Sequence, residues 1–177
     1  MTNWIYEVVY ALFFIFPAYA ANALPVVFGG GFPIDLRRKW FDGKPIFGSH
    51  KTVRGFAAGV VAGTLVSLAQ IWVLHSVAPS DFLLPFQFSV LLGFVVSLGA
   101  LLGDLVHSFV KRRISIAEGA PLPVADQLDF VAGAVLLSFL VSPPPALTIA
   151  IIFAITLPTH LLTNVLAYVA GVKKTPW

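Results

Sequence analysis

The sequence predicts an all-α membrane protein: a bundle of about five transmembrane helices with catalytic loops on the cytoplasmic side. Three observations carry that expectation. First, 58% of the 177 residues are apolar and only 11% are charged, and the mean hydropathy is +0.91, the composition of a chain whose solvent is lipid. Second, five apolar runs approach the ~20 helical residues needed to cross a hydrocarbon core of ~30 Å; they fall at 4–28, 56–77, 85–110, 126–142 and 146–169. Third, if these runs alternate in direction, all eleven Lys and Arg fall on one side, as the positive-inside rule requires of a cytoplasmic face. A single integral membrane domain over residues 1–177 is expected, in the cell membrane, without internal repeats. The absence of cysteine excludes disulfide and thiolate chemistry.

The first run, 4–28, contains Ala18-Tyr19-Ala20, which imitates a signal-peptide cleavage site. It lacks a basic leader, Glu7 has the wrong charge, and apolar residues continue through Phe28, so an uncleaved span is expected. The loop 29–55 follows, opening with Gly29-Gly30-Gly31 and carrying Arg37, Arg38, Lys39, Lys44, Lys51 and Arg54. Consecutive glycines let a backbone turn sharply, and their N–H groups can cradle an anion. A turn held to anionic headgroups by Arg37, Arg38 and Lys39 accounts for the same residues equally well. Ser49, Lys51, Thr52 and Arg54 stand immediately before the second span, where a helix N-terminus, two hydroxyls and two cations can converge on phosphate.

The spans 56–77 and 85–110 are joined by residues without Lys or Arg, an outward-facing connection. Lys111, Arg112 and Arg113 then open a second cytoplasmic loop, 111–125. The span 126–142 is the weakest, because its strictly apolar part, Leu128 to Val141, is short and Pro143-Pro144-Pro145 stops it. Local thinning of the bilayer accommodates such a span. The last, 146–169, leads to Lys173 and Lys174. The N-terminus is therefore expected outside and the C-terminus inside.

Carboxylates concentrate where the third and fourth spans meet that face. Asp104 lies within the apolar register, and helical spacing puts it on one face with Ser108 and Lys111, with His107 beside them. Asp126 and Asp129 repeat the arrangement at i, i+3 on the next span. A pairing of Asp104 with Lys111 or Ser108 within its own helix would satisfy that charge. Acids in a first helical turn also complement the macrodipole, by less than ~1 kcal/mol. Neither accounts for three carboxylates at one depth, since like charges repel and a hard divalent cation offsets the repulsion most readily. Without Cys and with few His, Mg²⁺ fits better than Zn²⁺, with Mn²⁺ as the alternative. Mg²⁺ is held by one or two carboxylates plus substrate phosphates, so a phosphorylated substrate is expected, and the nearby Lys and Arg argue for it independently. Phosphate groups meeting at a bilayer surface are the situation of nucleotide-activated lipid synthesis.

The order Gly103-Asp104-Leu105, Ser108-Phe109-Val110-Lys111-Arg112, a Pro-containing loop, and Asp126-Gln127-Leu128-Asp129 resembles the signature of the membrane CTP:phosphatidate cytidylyltransferases. Ser49-His50-Lys51-Thr52-Val53-Arg54-Gly55 resembles that family's S-x-K-T-x-x-G segment. The loop before Asp126 is shorter than the bacterial and eukaryotic pattern, lacks its His-Gly-Gly, has Ala117-Glu118 in place of Lys-Asp and Gln127 in place of Arg. In these respects the chain is similar to the archaeal branch, the CDP-archaeol synthases. The resemblance implies CTP and a geranylgeranyl ether lipid phosphate as substrates and Mg²⁺ as cofactor. It implies Asp104, Asp126 and Asp129 as metal ligands and, with Lys111, as catalytic residues; Ser49, Lys51, Thr52, Arg54, Ser108 and Arg112 would bind the nucleotide and lipid phosphates. An ester lipid as acceptor is the alternative within the family, and a small cation transporter is the alternative outside it. Acids gathered at one surface argue against a path through the bilayer, which needs polar groups near the midplane. A CDP-alcohol phosphotransferase is excluded because D-G-x-x-A-R is absent.

For cytosine the candidates are the Gly29–Gly31 backbone and Asn22. For the lipid chains they are a groove between the last three spans, lined by Phe94, Leu98, Leu101, Leu136 and Phe139. Gly93, Gly99, Gly133 and Ala134 read as helix contacts, His160, Thr163 and Asn164 as hydrogen bonds to a neighbouring helix, and Trp4, Trp40 and Trp177 as interfacial anchors. The bilayer is the expected surrounding partner; nothing points to nucleic acid, and the sequence does not specify an oligomeric state.

Overall fold

A computed structural model describes residues 3–77 and 87–171. Five helices follow one another: α1 (Trp4–Phe28), α2 (Val53–Val77), α3 (Val90–Arg113), α4 (Ala125–Ser138) and α5 (Ala146–Val169). Among the described residues the extended pairings are two isolated bridges, Pro33 with Thr52 and Lys39 with Pro45. Lys173, Lys174, Trp177, the connection 78–84 and the expected start of the third span at residue 85 lie outside the described residues.

α1, α2, α3 and α5 are long and apolar enough to cross a membrane. α4 is not: its 14 residues rise only ~21 Å at 1.5 Å each, and the run expected to continue to residue 142 ends as helix at Ser138. Ser138 Oγ donates to the Val135 carbonyl at 2.6 Å, and the last turns close on Leu140, Val141 and Ser142 just before three prolines that donate nothing. The start of α2 moves the other way, to Val53 rather than 56, because the Thr52 hydroxyl accepts the Gly55 N–H at 3.2 Å. That is the N-cap interaction.

Backbone approach explains how the helices pack. Pro17 cannot donate to the Phe13 carbonyl, and in lipid an unsatisfied carbonyl is costly. Gln70 Nε2 of α2 donates to it instead, at 2.8 Å. On α2, Gly59 and Gly63 lie against the α1 carbonyls of Ala21 and Pro17, where a Cβ would collide. On the other side, Gly99 and Gly103 of α3 meet the α4 backbone at Gly133 and Asp129, a close small-residue crossing. The core between these seams is Ala11, Phe14 and Ile15 of α1, Leu92 and Val96 of α3, Phe130 and Val131 of α4 and Ile152 of α5. Leu136, Phe139, Leu140 and Val169 stay exposed as the apolar coat a bundle presents to hydrocarbon.

Candidate active site

The α3·α4 crossing brings the three predicted carboxylates to one end of the bundle, where the two described loops fold over them. Lys51, two residues before α2, donates its Nζ to both oxygens of Asp104 on α3, at 2.7 and 2.5 Å. Lys111, two turns beyond Asp104 on the same helix, reaches instead across to Asp126 of α4, at 2.7 and 2.9 Å. His107 Nε2 adds a contact of 2.7 Å to Asp126 Oδ1. Both pairings therefore join different segments, and the intrahelical Asp104–Lys111 alternative is not what the structure contains. Asp129 accepts the N–H of Phe130 at 2.5 Å and makes no ion pair among the described residues. Ligand atoms of His107, Asp126 and Asp129 all lie within 4.8 Å of one another. Two carboxylates and an imidazole, with no thiolate, form a donor set suited to a hard divalent cation, and Asp104, predicted beside Asp126 and Asp129, is not part of that group.

Two cavities meet at this cluster. One, of about 550 Å³, is lined by Asn22, Ser49, Thr52, Leu101, His160 and Asn164 among others. The second, of about 330 Å³, is lined by Ser108, Lys111, Arg112, Glu118 and Asp129 among others. His50, Lys51, Asp104 and Asp126 line both. Of the residues predicted from sequence to hold the metal and the phosphates, Arg54 alone lines neither: its Nε donates to the Phe28 carbonyl at 2.8 Å and its Nη2 to that of Gly29. The carbonyl end of α1, with its partial negative charge, holds this cation. Thr52 borders the larger cavity while capping α2. Of the groove residues expected from sequence, Leu101 lines that cavity, whereas Phe94, Leu136 and Phe139 are exposed on the outside of the bundle.

Several residues reach the site without a signal in the sequence. Glu118 of the second loop accepts from Ser49 N at 3.0 Å and Ser49 Oγ at 2.7 Å, clasping one loop to the other. Asp35, buried in the first loop, accepts the N–H groups of Arg37, Phe47 and Gly48 at 2.9, 3.0 and 3.1 Å. Lys44 Nζ bonds the Arg113 carbonyl at 3.0 Å and Ser115 Oγ at 2.7 Å. At the head of α4, Val124 sits at φ +68°, a conformation that costs a β-branched residue ~1–3 kcal/mol. Asp126 Oδ2 accepts the Leu122 N–H at 2.7 Å, tying that turn to the helix.

The loop carboxylates also set a pH limit. The Ser49 hydroxyl and, beyond the opposing effect of burial, the Ser49 N–H hold the Glu118 carboxyl below the usual range. Burial pushes Asp35 up, but its backbone donors outweigh this and hold it down as well. A depressed carboxyl contributes stability that is fully present above the ordinary range of about 4 and is lost as pH falls through the depressed value. Hydrogen-exchange protection of the Phe47, Gly48 and Ser49 amides is therefore expected to hold from pH 7 to about 4 and to fall below it, before that of the α3 amides. Protection unchanged down to pH 3 would contradict this account of the loop.

Fold and site together define a multi-pass intramembrane enzyme, its polar centre enclosed at one end of an apolar bundle. A solved structure described as an intramembrane enzyme for archaeal membrane lipids biosynthesis superposes with a TM-score of 0.76 at 35% identity, covering 89% of this chain and 94% of its own. The family profile described as CarS-like: CDP-archaeol synthase matches residues 2–177. The CDP-archaeol synthase of Methanocaldococcus jannaschii is 44% identical over 97% of this chain and 99% of its own. That of Methanopyrus kandleri is 45% identical over 94% and 91%. The chain belongs to the CDP-archaeol synthase family.

Proposed function

We propose that this chain transfers CMP from CTP to the phosphate of a geranylgeranyl ether lipid, giving CDP-archaeol and pyrophosphate. The observation that supports this most directly is the convergence of Asp104, Asp126 and Asp129 with Lys51 and Lys111 where two cavities meet. A lipid phosphate oxygen attacks the α-phosphorus of CTP; the new O–P bond forms as the bond to the β-phosphate bridging oxygen breaks, and pyrophosphate leaves with that electron pair. No side-chain nucleophile is required, because the acceptor's own phosphate attacks.

Asp104, Asp126 and Asp129 would hold Mg²⁺, which supplies charge neutralisation on attacking and leaving oxygens. Lys51 and Lys111 each already grip a carboxylate, and an incoming phosphate offers their ammonium groups a second anion at the same place. Ser49, Ser108 and Arg112 line the two cavities and supply further donors to the phosphates. We assign the site to the cytoplasmic side of one integral membrane domain, with the N-terminus outside and the C-terminus inside, because the basic residues of 29–55 and 111–125 gather there.

The test is direct: purified protein in detergent receives Mg²⁺, labelled CTP and either the geranylgeranyl ether phosphate or phosphatidic acid. Pyrophosphate release is expected with the ether lipid, to be lost with chelator and restored by Mg²⁺ or Mn²⁺. No release with either lipid overturns the proposal, and faster release with phosphatidic acid assigns an ester substrate instead.

A further inference from the structure

In-line displacement places an entering and a leaving group on opposite faces of one phosphorus, and this site has two chambers with a common wall. The wall is His50, Lys51, Asp104 and Asp126, so the α-phosphorus belongs there, with one chamber for each group. The chambers differ chemically. The smaller adds Lys111, Arg112 and Ser108 and is roofed by the loop residues Phe47, Gly48, Glu118 and Gly119. Arg112 is only 7% exposed, yet its Nε has no hydrogen-bond partner. A buried guanidinium N–H left over in a chamber that also holds Lys51 and Lys111 suits the pyrophosphate end of a nucleotide.

The larger chamber lies on the inner side of the carboxylates. Leu101, about one helical turn or ~5 Å deeper along α3 than Asp104, lines it together with Pro25, Val26 and Phe56. Its α2 and α5 walls are both packed on α1, which contributes Asn22, Pro25 and Val26 to the same lining. Polar groups are expensive inside apolar spans, yet α5 places His160 and Asn164 here, opposite Asn22 of α1. Asn164, 8% exposed, has its Nδ2 at 3.1 Å from His160 Nδ1. The Phe130 ring lies against the imidazole at a centroid distance of 6.0 Å.

We propose that the larger chamber receives the phosphorylated headgroup of the lipid acceptor, and that His160 and Asn164 orient it for attack from the face opposite the departing pyrophosphate. The inference rests on the cytidylyl-transfer reading above and adds to it which chamber each substrate takes; it gives Asn22, Gly29 and Gly30, which line this chamber and which the sequence offered for cytosine, to the lipid headgroup instead. It makes His160 and Asn164 determinants of acceptor binding rather than packing polar residues.

His160→Phe, which keeps a ring against Phe130, and Asn164→Leu are expected to raise KM for the ether lipid phosphate about tenfold or more, the loss due when a buried polar partner is removed. Equilibrium dialysis of labelled CTP with Mg²⁺ and no lipid should give a Kd unchanged within about twofold for the same variants, which also reports that they are folded. Arg112→Gln in the smaller chamber is expected to do the reverse. Weakened CTP binding with an unaltered lipid KM in the α5 variants overturns the assignment, as does no change in either constant. In unaltered protein, a lipid phosphate carrying a photoreactive group beside its glycerol should label α1 and α5 peptides; labelling confined to 114–124 overturns it as well. Absence of pyrophosphate release with every lipid defeats the reaction itself, whereas an active enzyme with the opposite pattern defeats only the division of chambers.

Discussion

Asp129→Asn is expected to abolish turnover while the detergent-extracted protein stays folded. Asparagine keeps the volume, and its carbonyl oxygen still accepts the Phe130 N–H that Asp129 accepts now. The carboxylate it removes is the one in the cluster that forms no ion pair with Lys, Arg or His among the described residues. Removing one of three neighbouring carboxylates relieves repulsion, so thermal stability should not fall. A divalent cation contributes several kcal/mol to stabilising transferring phosphoryl charge, and losing part of that is ~10³-fold in kcat. Single-turnover pyrophosphate release beside a melting curve separates the two effects. Retained activity would mean that Asp129 does not hold the cation.

Gly103→Ala should cost nearly as much without touching a charge. A Cβ at Gly103 would collide with the Asp129 carbonyl oxygen and lie 3.1 Å from Gly133 Cα. Both obstacles are backbone, so α4 must move, and Asp126 and Asp129 move with it. A displacement of ~1 Å in a site that works by positioning costs about 10²-fold in rate. Overpacking alone costs ~1–3 kcal/mol of stability, and Gly93→Ala provides the control. There the added Cβ meets the Ser67 side chain of α2, so packing is strained without shifting α4. Loss of kcat in Gly103→Ala but not in Gly93→Ala is the expected result; equal losses would show that stability, not carboxylate spacing, is at issue.

The sequence reveals residues whose role follows from being where they are. Asp104 within an apolar run and Asp126 and Asp129 at i, i+3 are costly anywhere, so their presence is itself informative. The eleven cations carry an expectation of helix direction through the positive-inside rule. Contacts made across the chain are different. Nothing local tells that Lys111 spans from α3 to Asp126 of α4 rather than back to Asp104, or that Glu118 meets Ser49. His160 and Asn164 read as ordinary interhelical polar residues, because which face of α5 borders a cavity depends on where α1 and α3 stand. Arg54 and Thr52 show one signal with two readings. Cations and hydroxyls beside a helix end suit a phosphate, but they also suit the helix termini themselves, and Arg54 is held by the carbonyls of Phe28 and Gly29. The end of α4 was only partly visible, since the prolines mark where a helix cannot continue and not where the turns before them begin.

The lysine and carboxylate pairs bear on how the protein comes to exist in a bilayer at all. Small zinc domains must wait for their metal to fold, because their ligands repel or solvate one another without it. Here Asp104 and Asp126 carry resident counter-ions in Lys51 and Lys111, so the assembled bundle already neutralises two of the three clustered carboxylates. On the proposed metal assignment, loading would be an exchange of partners in which each ammonium trades one anion for another, and the fold would not have to wait for the cation.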